Sequence, residues 1–173
     1  MMRQLVAIAI AGTLVASCHA NSSTGLFGAV DTHGAMVGGI NPAALAIWDV
    51  GNNAMSDAGG WDPALMDQAA WSKLQDAARA LEHHSRRMAE ADTLYVGDHN
   101  DEIEGFASKA EIQAMIDADP NGFRELSRKM ADDARELLDA ATARNAPRSA
   151  DLVDGLSDNC GSCHSRYWEK PVS

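Results

Sequence analysis

The sequence predicts an all-α domain, and three observations predict it. Alanine is abundant and aromatic residues make up only 5% of the chain, while Val, Ile, Thr and Tyr nowhere gather into alternating runs; that balance favours helix over strand. Four stretches repeat their apolar residues near the helical period, which lines one face of a helix. Residues that start and stop helices stand between those stretches.

The first residues fall outside the domain. Met1-Met2-Arg3-Gln4 is a short positive start. Leu5 to Ala16 is an apolar run of about a dozen residues, too short to span a bilayer comfortably. Residues 1–17 therefore read as an export signal. Leu14-Val15-Ala16-Ser17-Cys18 resembles the lipobox of bacterial lipoproteins. That resemblance implies cleavage before Cys18 and a lipid on its sulfur, hence a membrane anchor. Cleavage after Ala20 is the competing reading. His19 stands where an Asp commonly retains lipoproteins in the inner membrane, so the resemblance implies outer-membrane anchoring in the periplasm. Residues 18–32, rich in Ser, Gly and Asn, read as a flexible tether, and residues 33–173 as the domain.

The first stretch carries Met36, Ile40, Ala44, Ile47 and Met55. Pro42 lies inside it and either kinks the helix or marks its start, with Asn41 as cap. Gly59-Gly60 ends this part. The second stretch carries Trp71, Leu74, Ala78, Leu81 and Met88, with Asp67 as its cap. Thr93 to Ala118 is a long acidic connection in which Lys109–Ala118 forms a short helix. The third stretch carries Phe123, Leu126, Met130, Ala134, Leu137 and Ala141, opened by Asp119 as cap and Pro120 in the first turn. Asn145-Ala146-Pro147 separates it from the fourth, which carries Leu152, Leu156, Cys160, Cys163 and Tyr167. No internal repeat and no second domain are visible.

Asp and Glu number 25 against 14 Lys and Arg, for a formal charge of −11. Such a chain lacks the basic excess needed to bind nucleic acid through phosphates. It suits a partner with a basic surface, although a solvated acidic exterior is the blander reading. No Ser–His–Asp set, paired-carboxylate arrangement or phosphate loop is identifiable, so the chain does not read as an enzyme.

The chemistry sits in Cys160-Gly161-Ser162-Cys163-His164. Residues three and four apart share a helix face, so both thiols and the imidazole project together. Two thiols at that spacing reach the two vinyl groups on one edge of a haem and form thioethers, and His164 becomes the proximal iron ligand. One covalent haem c is the implied cofactor. A redox dithiol usually opens a helix after a strand, and no strand is visible here. Tetrahedral zinc would want further ligands nearby, and none is evident. The chain has three cysteines. Two are committed to haem and Cys18 to the signal, which leaves no disulfide.

A Cys-x-x-Cys-His run on the last of four helices resembles the class II cytochromes c, the cytochrome c prime family. The resemblance spans about residues 33–170. It is sharp at Cys160 to Tyr167, at Met36 with Pro42 and Ile47-Trp48, and at Trp71 to Leu81. It implies an antiparallel four-helix bundle with haem held between helices near one end. It also implies that Met36, by position, is the distal iron ligand of the six-coordinate members, which carry single electrons. Core filler is the commoner use of such a methionine, and Met55, Met66, Met88, Met115 and Met130 compete on spacing alone. Members with an apolar residue there are five-coordinate and bind small gases such as NO or CO, which is the alternative function. A haem-bearing accessory subunit of a larger oxidoreductase is a second alternative. Redox proteins are the implied partners, and homodimers occur in the family.

Three features remain. His83-His84 sits mid-helix among charged neighbours and reads as a solvated surface pair, since adjacent helical residues point about 100° apart and cannot easily chelate one metal. Asp98 to Glu102 with Glu104 is acidic enough for a hard cation but lacks the calcium-loop order. Trp48, Trp71, Tyr167 and Trp168 read as core or haem-packing residues, and Arg166 as a partner for a haem propionate or a surface charge.

Overall fold

The computed structural model describes residues 27–98 and 105–170. Residues 1–26, which hold the expected export signal, Cys18 and most of the expected tether, and residues 99–104 of the acidic connection lie outside the described part. The described chain is all-α apart from one small strand pair. In order it runs β1 (Ala29–Asp31), α1 (Thr32–Ala35), a π-helical segment (Met36–Ile40), α2 (Asn41–Ala54), a short turn of 3-10 helix (Pro63–Leu65) and α3 (Gln68–Ala89). It continues through β2 (Thr93–Tyr95), α4 (Lys109–Ala118), α5 (Pro120–Thr142) and α6 (Ala146–Tyr167).

The helix starts follow from side chains that take up orphan backbone N–H groups. Asp67 accepts from the Ala70 N–H at 2.8 Å, Asp119 from Gly122 at 3.0 Å and Asn145 from Arg148 at 3.2 Å. Pro120 and Pro147 occupy first-turn positions that need no N–H. Ser108 and Glu111 form a capping box that starts α4. Gly59 and Gly60 adopt φ of 85° and 76°, the left-handed conformations that let the chain turn out of α2.

Pro42 does not mark a helix start. The helix begins at Thr32 and runs through it. A proline in mid-helix lacks an N–H, and its ring crowds the carbonyl four residues back. Just upstream the ladder slips into π geometry, with the Asn41 N–H donating to the Met36 carbonyl. The proline is absorbed by that slipped turn.

Two further expectations are corrected. Strands do exist: β1 pairs parallel with β2, Val30 opposite Leu94. Each is three residues long, too short to leave an alternating pattern. The pairing also places the end of the expected tether inside the fold, since Val30 is 2% exposed. Asp31 then ties the two segments by accepting from the Gly97 N–H at 2.8 Å. Met55, expected on the buried stripe, is exposed, because α2 has already turned extended there.

Cross-helix contacts fix the pairing. Asp49 meets Lys73 and Gly39 meets His84, so the first helix and α3 run in opposite directions. Gln75 reaches the Ala141 carbonyl and Arg86 reaches Asp132, which does the same for α3 and α5. Arg148 with Glu136 and Tyr167 with Asp119 do so for α5 and α6. Between them lie Ile47, Leu74, Leu81 and Leu137, all essentially excluded from solvent. The apolar stripes expected for α3 and α5 are buried along their length, with Leu126 half-exposed. α6 packs closely on α5 and only sparsely on α2.

Candidate functional site

Leu156, Cys160, Cys163 and Tyr167 follow one another along the inner stripe of α6. Leu156 and Tyr167 are buried, and both cysteines are half-buried against the core. Both are free thiols. Burial pushes the Cys160 thiol up, and it drives Cys163 to about 11 with help from the neighbouring sulfur. Both are therefore neutral thiols at physiological pH. That is the opposite of a redox dithiol, which works by a depressed pKa.

The two flanks of α6 do different things. One reaches α5: Asn159 donates to Asp133, and Arg166 pairs with Asp119 while its guanidinium lies 5.6 Å from the Tyr167 ring centroid. His164 and Trp168 lie on the other flank. His164 is half-buried, and burial holds its imidazole below the ordinary histidine range, so it is neutral. Trp168 meets it edge-on with ring centroids 4.7 Å apart.

The C-terminal end of α6 is fastened by Tyr167. Its hydroxyl donates toward the Asp119 carbonyl and carboxylate, each at 3.1 Å, and its ring packs edge-on against Phe123 at 5.1 Å. Burial, then the bond to Asp119, pushes the phenol to about 12, so it stays a donor. Arg166 is thus engaged by Asp119 in a protein contact. Among the other aromatics, Trp71 is buried, while Trp48 and Trp168 are half-buried.

Met36 opens the π segment, half-buried and packed against the core. Cross-helix levels locate it. Gly39 sits against His84, so Met36, three residues earlier, lies beside the turn of α3 that follows His84. Arg86 in that turn contacts Asp132, and Asn159 contacts the adjoining Asp133. Met36 and the Cys160–His164 run therefore occupy the same end of the molecule. Among the competing methionines, Met66, Met88 and Met130 are buried, Met115 is half-buried and Met55 is exposed.

His84 is not the solvated residue expected from its charged neighbours. A Cβ on Gly39 would lie 2.4 Å from its ring, so only glycine admits the imidazole at this crossing. Its Nδ1 is buried without a partner, and burial, then His83 and Arg87, lower its pKa. No metal-binding cluster of His, Cys, Asp or Glu is present among the described residues. The sequence signal for this contact is the Gly38-Gly39 pair inside a helix, which stands opposite nothing recognisable in sequence. Phe106 was likewise not singled out, yet it stacks on Trp168 at 4.1 Å.

The residues suit a c-type haem. Two neutral thiols and a neutral imidazole on neighbouring positions are the donor set that such a group requires. They sit on a helix that packs only sparsely on α2. Fold and donor set together define a helical protein of the c-type cytochrome class. The family model described as Cytochrome C' matches residues 51–168, and the chain belongs to that family. Membership implies a haem c cofactor and a monohaem cytochrome that carries electrons or binds gas rather than acting as an enzyme. The matched span includes Cys160, Cys163, His164 and Trp168 and begins after Met36. No curated protein and no solved structure gives a significant match.

Proposed function

We propose that this chain is an exported electron carrier in which one haem c is held by thioethers from Cys160 and Cys163, with His164 as proximal and Met36 as distal iron ligand. The long helices form an antiparallel four-helix bundle around it, and Cys18 carries a lipid that anchors the chain to the periplasmic face of the outer membrane. The haem, when bound, supplies reversible one-electron chemistry. The protein's own residues do the rest. Cys160 and Cys163 present neutral thiols from the inner stripe of α6. His164 presents a neutral imidazole whose lone pair is free to coordinate. Met36 supplies a thioether, which with histidine favours reduced iron and raises the potential. The acidic exterior suits a redox partner with a basic surface.

The observation that carries the choice of electron transfer over gas binding is the position of Met36. It is a half-buried thioether on the first helix, at the level of the Cys160–His164 run, in the turn where the backbone departs from α geometry. The test is optical. The reduced protein should be low-spin and unchanged by carbon monoxide, and Met36→Ala should become high-spin and bind it. A high-spin wild type that takes up carbon monoxide makes the chain a gas-binding haem protein instead. An unaltered spectrum in Met36→Ala removes Met36 from the iron.

A further inference from the structure

The proximal side of the site carries an aromatic support that the Cys-x-x-Cys-His motif does not encode. Trp168 lies one helical turn beyond His164, its ring inclined 69° to the imidazole at 4.7 Å between centroids. Behind it Phe106 stacks nearly parallel, at 19° and 4.1 Å. The pair is fixed by backbone. The Ala107 N–H donates to the Trp168 carbonyl at 2.8 Å, and the N–H groups of Trp168 and Glu169 both donate to the His164 carbonyl at 2.9 Å. Phe106 and Glu169 pair as an isolated antiparallel bridge. These bonds hold the Trp168 backbone at the end of α6, and the stacked Phe106 ring packs its indole beside His164.

A ligating histidine is ordinarily oriented by a hydrogen bond from its other ring nitrogen. Among the described residues nothing hydrogen-bonds the His164 imidazole; what acts on it is the Trp168 ring, burial and the charge of Glu169. We propose that Trp168, backed by Phe106, is the positioning residue for the proximal imidazole: it sets the ring plane and screens that face from water. Screening disfavours the more highly charged ferric state, so the pair raises the reduction potential. This rests on His164 being the iron ligand.

The test uses the full haem-loaded chain, with covalent haem content established first by mass under denaturing conditions. The reduction potential and the ferric electron paramagnetic resonance spectrum are then compared across wild type, Trp168→Ala, Trp168→Phe and Phe106→Ala. Trp168→Ala should keep its haem, broaden the resonance and shift the equilibrium about tenfold toward ferric iron, ~59 mV for a one-electron couple. Trp168→Phe should stay close to wild type, and Phe106→Ala should shift in the same direction by less. Trp168→Ala with intact haem and an unmoved potential and spectrum overturns the proposal, as does Trp168→Phe shifting as far as Trp168→Ala. Should Trp168→Ala fail to fold, Phe106→Ala decides, and an unmoved potential there is equally fatal. A His164→Ala spectrum identical to wild type sinks the ligand assignment and the proposal together, and the two failures are told apart by that variant.

Discussion

Replacing Gly39 by alanine puts a methyl group where the His84 ring already stands. The added carbon would lie 2.4 Å from Cδ2 and Cγ and 2.5 Å from Nδ1 of that ring. Three overlapping atoms on a rigid, packed ring place the cost near the upper end of the overpacking range, ~3 kcal/mol. Alanine in place of glycine within a helix recovers about 1 kcal/mol. The net expectation is a loss of ~2 kcal/mol, or roughly 6 °C in Tm for a domain of this size. The same substitution made on a His84→Ala background meets no ring. There it should stabilise by about 1 kcal/mol, so its effect changes sign. Urea unfolding followed by helical circular dichroism on the four proteins measures the cycle. Equal effects of Gly39→Ala in both backgrounds would refute the contact, and with it the level at which Met36 is set.

Further expectations concern the clamp on α6. Tyr167→Phe removes a hydroxyl that bonds Asp119 and should cost about 1 kcal/mol in the same assay; equal stability would mean the bond is idle. Asp119 is held below the usual carboxylate range by the Gly122 N–H first, then by the Tyr167 hydroxyl and the Arg166 guanidinium, against some burial. A carboxyl lowered on folding contributes stability that is complete above its unfolded value of about 3.9 and is lost as pH falls through the lower folded value. The stability gap between wild type and Asp119→Asn should therefore be flat near neutrality and close in acid. A gap that persists unchanged into strong acid contradicts the assignment. Met36→Ala, read by carbon monoxide binding, tests the distal side as described above.

What could be read from sequence follows a physical division. The starts of α3, α5 and α6 were legible because a cap is a bond between a side chain and a backbone N–H two or three residues away, so Asp67, Asp119 and Asn145 announce themselves locally. The stripes of α3 and α5 were legible because burial repeats with the helix period. The cluster of Cys160, Cys163 and His164 on α6 was legible because the three are neighbours in sequence. The π segment was not, since Pro42 signals that the ladder must break but not how the chain relieves it. The β1–β2 pair was hidden because three-residue strands form only when residues far apart in the chain meet. His84 misled because charged sequence neighbours argued for water, whereas its neighbour in space is Gly39. Phe106 was silent for the same reason: its partner Trp168 lies at the far end of the chain.

The proposed function depends most directly on covalent attachment of haem to Cys160 and Cys163. Intact-mass spectrometry of the chain, produced in an exporting bacterial host able to assemble c-type haem and then fully denatured, tests it directly. The wild type should retain the added mass of one haem, and the Cys160→Ser, Cys163→Ser double variant should show the bare polypeptide. A wild-type chain that releases its haem on denaturation, or a double variant that keeps it, contradicts attachment through these two thiols.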